Sequence, residues 1–90
     1  MSPEQVKGQP IDQRSDLFSL GCLIYAMVAG QPPFRGSHPL AIARKISEEP
    51  HVPLKERVAS VPEQLAAITD RLLQKDAADR YQSADQLAQH

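Results

Sequence analysis

The sequence predicts an all-α fold, and three observations carry that expectation. No stretch alternates apolar and polar residues over five or more positions, so no half-buried strand is signalled. The run Leu17 to Ala29 is apolar nearly all round, the mark of a helix enclosed on every side. Two pairs, Ser60 with Glu63 and Ser83 with Gln86, have the spacing at which a serine hydroxyl and a later side chain satisfy each other's backbone amides at a helix start.

Residues 1–14 hold two prolines, a glycine and mostly polar neighbours, so an irregular segment is expected, with one short helical turn near Pro3. A helix is predicted over 16–29, with Ser15 or Asp16 capping its first amides and Gly30 closing it in a left-handed conformation. Gln31-Pro32-Pro33-Phe34 stops it, because proline lacks an amide proton and turns its predecessor away from helical angles. A second helix is expected from Pro39 to Glu48, with Ser37 as its cap and Leu40, Ile42, Ala43 and Ile46 as its apolar face. Residues 50–59 mix prolines and charges without a period, and no element is assigned there. The third helix follows the Ser60 box, takes Pro62 into its first turn, carries a stripe of Leu65, Ile68, Leu72 and Leu73, and should end near Lys75. Asp76 to Arg80 reads as a polar turn, and a fourth helix containing Leu87 follows Ser83.

Ten Lys and Arg stand against eleven Asp and Glu in 90 residues, which gives no electrostatic reason to seek nucleic acid or anionic lipid. No apolar segment reaches the roughly 20 residues that span a bilayer, and Ser2-Pro3-Glu4-Gln5 is not the start of a signal peptide. Cys22 is the lone cysteine, read as a small buried hydrophobe; it permits no internal disulfide and fits a cytoplasmic location. His38, His51 and His90 lack metal-ligand spacing and are read as surface residues, as are Glu48, Glu49, Asp76 and Asp79.

A chain of this size can remove only about 60% of its unfolded surface from water. Burying one Leu, Ile or Met is worth roughly 1.5–3 kcal/mol against a typical total stability of about 5–15 kcal/mol. The later helices offer too few apolar faces to wrap Leu17–Ala29, so the central helix requires further protein around it, or self-association through its uncovered side.

Several motifs together resemble a known family. Ser2-Pro3-Glu4 is similar to the A-P-E motif that ends the activation segment of protein kinases. Arg14-Ser15-Asp16-Leu17-Phe18-Ser19-Leu20-Gly21 resembles the D-x-W-S-x-G opening of that family's central helix, with Phe18 in the aromatic place. Gly30-Gln31-Pro32-Pro33-Phe34 matches the G-x-x-P-F turn, and Lys75-Asp76-Ala77-Ala78-Asp79-Arg80-Tyr81 resembles K-D-P-x-x-R-[YP], with Ala77 in place of proline. In this order and spacing the motifs identify a C-lobe segment of the eukaryotic-like serine/threonine protein kinases, and their wording resembles the bacterial branch. The implied domain organisation is 1–90 as a partial kinase domain of about four helices around a buried central helix, with the N-lobe and catalytic loop absent. Met1 then reads as an internal methionine.

The resemblance also implies residue roles. Glu4 is expected to form a buried ion pair with Arg80, and Asp16 to accept hydrogen bonds from the catalytic loop, unless it serves only as a cap. Gly21, which costs about 1 kcal/mol relative to Ala in mid-helix, implies a close packing contact. Arg44, Lys45, Glu48 and Glu49 are the candidates for protein contact. The complete kinase would use ATP and Mg²⁺ to phosphorylate Ser or Thr of protein substrates. That chemistry needs a glycine-rich loop, a strand lysine, H-R-D and D-F-G, none of which occurs in the sequence. No catalytic, cofactor-binding or metal-binding residue is therefore assigned, and the alternative reading is a non-catalytic helical interaction module.

Overall fold

A computed structural model describes residues 2–89, and all regular elements among them are helical. In chain order they are α1 (Pro3–Val6), α2 (Gln13–Ala29), α3 (Pro39–Glu48), α4 (Leu54–Arg57), α5 (Glu63–Leu72), a 3₁₀ turn (Ala77–Asp79) and α6 (Ala84–Ala88). Ser2 caps α1 with a reciprocal box: its hydroxyl accepts from the Gln5 amide while the Gln5 side chain accepts from the Ser2 amide at 2.7 Å.

The central helix α2 starts three residues earlier than predicted, at Gln13. Asp12, not Ser15 or Asp16, is its cap, because the Asp12 carboxylate accepts from the Arg14 amide at 2.8 Å. Ser15 lies inside the helix and turns its hydroxyl to Glu4 instead. Gly30 ends the helix at φ +73°, a conformation glycine adopts without a Cβ penalty, and donates its amide to Ala26 O. At α3 the cap is His38, whose Nδ1 accepts from the Leu40 amide at 3.1 Å, rather than Ser37.

The segment left without an element contains α4, one helical turn anchored by the fully buried Leu54. The Ser60 box does not form. Pro62 stands in extended conformation before α5, and Glu63 reaches across to Lys55 Nζ at 2.9 Å. This helix ends at Leu72 rather than near Lys75, with Leu73 and Gln74 donating to Thr69 O and Arg71 O in a closing turn. At α6, Ser83 caps the Gln86 amide as predicted, but the Gln86 side chain accepts from the Gln82 amide.

Two clusters form the core. Phe18, Tyr25, Phe34, Ile46, Leu54, Val61, Ala66 and Leu73 make the larger one; Leu17, Leu72 and Tyr81 make the smaller. Both draw on α2, which crosses α5 at Gly21: a Cβ there would lie 2.8 Å from Leu72 Cβ and 3.1 Å from Leu73 Cδ2. Cover is one-sided, however. The molecule is flat, with extents of 34 × 31 × 16 Å. An all-round apolar helix is left without cover on one side, and Leu23 and Met27, one turn apart on α2, remain 56% and 75% exposed.

Candidate functional site: a buried clamp between the ends of the chain

Glu4 and Arg80, 76 positions apart, meet in the interior. The Arg80 side chain is fully buried and that of Glu4 is 10% exposed. Both guanidinium Nη atoms donate to the two carboxylate oxygens at 2.8 Å, the parallel two-bond geometry that arginine's planar fork allows and a lysine ammonium does not. The remaining donors go to three carbonyls of two segments: Nη1 to Arg14 O at 2.9 Å, Nη2 to Lys75 O at 3.1 Å and Nε to Gln74 O at 2.7 Å. Beneath them the guanidinium lies 4.8 Å from the Phe18 ring centroid. On the other partner, Ser15 Oγ donates to Glu4 Oε2 at 2.8 Å.

One ion pair thus ties α1, the first turns of α2, the end of α5 and the start of the last segment. The Arg80 hydrogen bonds hold the Glu4 carboxyl at about 2, below its ordinary 4.5, against burial, which acts in the opposite direction. A carboxylate that stays ionised down to such acidity, with both oxygens occupied, has no basicity to offer a substrate near neutrality. The arrangement holds; it does not transfer protons.

The other expected residues are scattered. Asp16 is exposed in the first turns of α2 and is not the cap. Gly21 sits at the α2–α5 crossing, where there is no space for a side chain. Arg44, Glu48 and Glu49 are exposed on and just after α3, whereas Lys45 is half-buried and donates from Nζ to Arg35 O. Cys22 is half-buried against the larger core cluster, and burial raises its thiol pKa.

Three features lie beyond the expectations drawn from the sequence. His51 is not a surface residue: its side chain is 9% exposed, and Nε2 lies 2.8 Å from Asp70 Oδ1, an oxygen that also accepts from the Leu54 amide at 3.3 Å. Tyr25 donates its hydroxyl to Val52 O at 2.6 Å, pinning the same connection; a tyrosine in an otherwise apolar helix was the available hint, since a buried phenol needs a partner. Lys75 carries its ammonium 3.9 Å from the Phe34 centroid and donates to Lys45 O at 3.1 Å, with burial lowering its pKa from 10.5 to about 8. Of the other histidines, His38 is the exposed cap of α3, and His90 lies outside the described residues, as does Met1.

Among the described residues no group of three or more His, Cys, Asp or Glu side chains is arranged to hold a metal ion, and no helix is long and apolar enough to cross a membrane.

The model of the protein kinase domain family matches residues 1–90. The chain is 41% identical over 87 residues to the serine/threonine-protein kinase PknB of Mycolicibacterium smegmatis, covering 97% of this chain and 14% of that protein. It is 46% identical over 88 residues to a probable serine/threonine-protein kinase of Streptomyces coelicolor, covering 97% of this chain and 13% of that one. Among solved structures, the autoinhibited serine kinase domain of the giant muscle protein titin superposes with a TM-score of 0.88 at 26% identity, over 99% of this chain and 27% of that one. The chain therefore spans about one-seventh of the length of these curated relatives.

Proposed function

Because the chain belongs to the protein kinase domain family, as a segment of a serine/threonine kinase, we propose that it is the scaffolding part of that kinase's C-lobe. In this reading it fixes the end of the activation segment, at Ser2-Pro3-Glu4, onto the central helix and the last helix. The single observation that carries the reading is the buried two-bond pair of Glu4 with Arg80. The whole kinase passes the γ-phosphate of ATP, with Mg²⁺, to Ser or Thr hydroxyls of proteins, and works in the cytoplasm. The N-lobe and catalytic loop that perform the transfer lie outside these residues, and further parts of the C-lobe cover the Leu23 and Met27 side of α2. Asp16 is the point at which the catalytic loop attaches.

Incubating the purified chain with radiolabelled ATP, Mg²⁺ and casein tests the assignment. No phosphate should enter casein or the chain; incorporation above a blank without the chain would show that these residues carry catalytic machinery of their own.

A second reading is favoured by the exposure of Leu23 and Met27 at 56% and 75%: a catalytically silent module that pairs through this face with a second copy or with a full kinase, α3 adding contacts through Arg44, Lys45, Glu48 and Glu49. Sedimentation decides between the two. Dimers that Leu23→Lys with Met27→Lys disperse support the module, and monomers at all concentrations support the scaffold.

A further inference from the structure

Between the turn after α2, helix α3 and helix α4, a concave groove of about 700 Å³ opens to solvent. Its charged lining is Arg35 from the turn after α2, Lys45 from α3 and Arg57 from α4, and no carboxylate lines it. That segregation is unexpected in a chain whose acids and bases nearly balance. Elsewhere Arg14 pairs with Asp12, Lys55 with Glu63 and Arg80 with Glu4, while Arg71 and Lys75 lie over the Tyr81 and Phe34 rings. Arg35, Lys45 and Arg57 pair with no carboxylate among the described residues. Arg35 gives a hydrogen bond to the Gln31 side chain and Lys45 one to the Arg35 carbonyl, both neutral acceptors, so the charge stays uncompensated.

The groove is also shaped. Phe34, Pro32 and Ile42 supply an apolar floor, and Gly36 lets the turn approach α3 closely, since a Cβ there would lie 3.2 Å from both Ala41 Cβ and Ile42 Cγ1. Three cations from separate elements around an apolar floor complement an extended chain carrying carboxylates beside an aliphatic residue, because guanidinium and carboxylate match in geometry as well as charge.

We propose that the Arg35–Lys45–Arg57 groove is a docking site for an acidic peptide segment of a partner protein. It gives chemistry to the reading of α3 as the protein-contacting helix of a kinase segment and rests on that reading. The binding requires no phosphoryl transfer, so its failure and a failure of the scaffold assignment are separately visible.

The experiment is fluorescence anisotropy of the 90-residue chain with a labelled Glu-Asp-Leu-Glu-Asp-Glu peptide, its Gln and Asn counterpart, and oligothymidylate. The acidic peptide should bind, more weakly as salt is added, and the amide peptide should not. Arg35→Gln and Arg57→Gln should each weaken binding about threefold, as expected for partly exposed ion pairs. Lys7→Gln, an exposed cation after α1 that does not line the groove, should leave it unchanged. Equal binding of the acidic and amide peptides, no binding of either, tighter binding of oligothymidylate, or an equal loss in Lys7→Gln overturns the proposal.

Discussion

Replacing Glu4 by Gln exchanges one carboxylate oxygen for an NH₂ group and removes one charge, yet it should destabilise the chain severely. The substitution puts an NH₂ donor against an Nη donor of Arg80 and leaves a fully buried guanidinium without its counterion. Breaking a buried pair from one side costs about 3–5 kcal/mol. The fall of the Glu4 pKa from 4.5 to about 2 corresponds independently to about 3 kcal/mol, since each unit is worth about 1.4 kcal/mol. Against a total of about 5–15 kcal/mol for a domain, such a loss removes a large share of the stability. The assay is urea unfolding followed by far-UV circular dichroism at neutral pH. Because Glu4 titrates lower in the folded chain than in the unfolded one, its contribution is complete above about pH 4.5 and disappears as the pH falls through about 2. The parent and Glu4→Gln curves should therefore converge in acid. A variant within about 0.5 kcal/mol of the parent at pH 7, the range of ordinary surface changes, would refute the reasoning.

Other perturbations test other contacts. Gly21→Ala should lower the melting temperature, because overpacking by about 1–3 kcal/mol at Leu72 Cβ outweighs the roughly 1 kcal/mol gained in helix propensity; a higher melting temperature would mean the crossing has slack. Asp70→Ala should speed amide exchange at Leu54 and through α4, since it removes the acceptor of both His51 and the Leu54 amide; unchanged protection would show that Tyr25 and the buried Leu54 suffice. Lys75 has a lowered folded-state pKa, so the unfolded chain holds more protons between about pH 8 and 10.5 and stability should rise with pH across that window; Lys75→Met should flatten the rise, and an identical slope would contradict the burial of its amine.

What could be read from the sequence was what adjacent residues decide. The helical class, the Gly30 stop, the Ser83 cap and the extent of α3 follow from local spacing. The start of α2 was missed because Ser15 looks like a cap until Glu4 claims its hydroxyl from across the interior. The Ser60 box failed for a similar reason, as Glu63 finds Lys55 before its own helix start. In the same way, α4 has one turn and no period, and exists because Leu54 is buried under α5 and its amide meets Asp70. His51 was misjudged because nothing beside it in the chain announces Asp70, nineteen positions later. The Glu4–Arg80 contact itself was reached through the resemblance, since either residue taken alone reads as an ordinary surface charge.

Titration of the Glu4 side-chain carboxyl by carbon NMR measures the clamp most directly. A midpoint near 2 is expected, with the folded signal persisting into strong acid until the pair breaks. A midpoint close to the ordinary 4.5, in a chain that is still folded, would mean that Arg80 does not hold Glu4 and that the two ends of the chain are joined by something else.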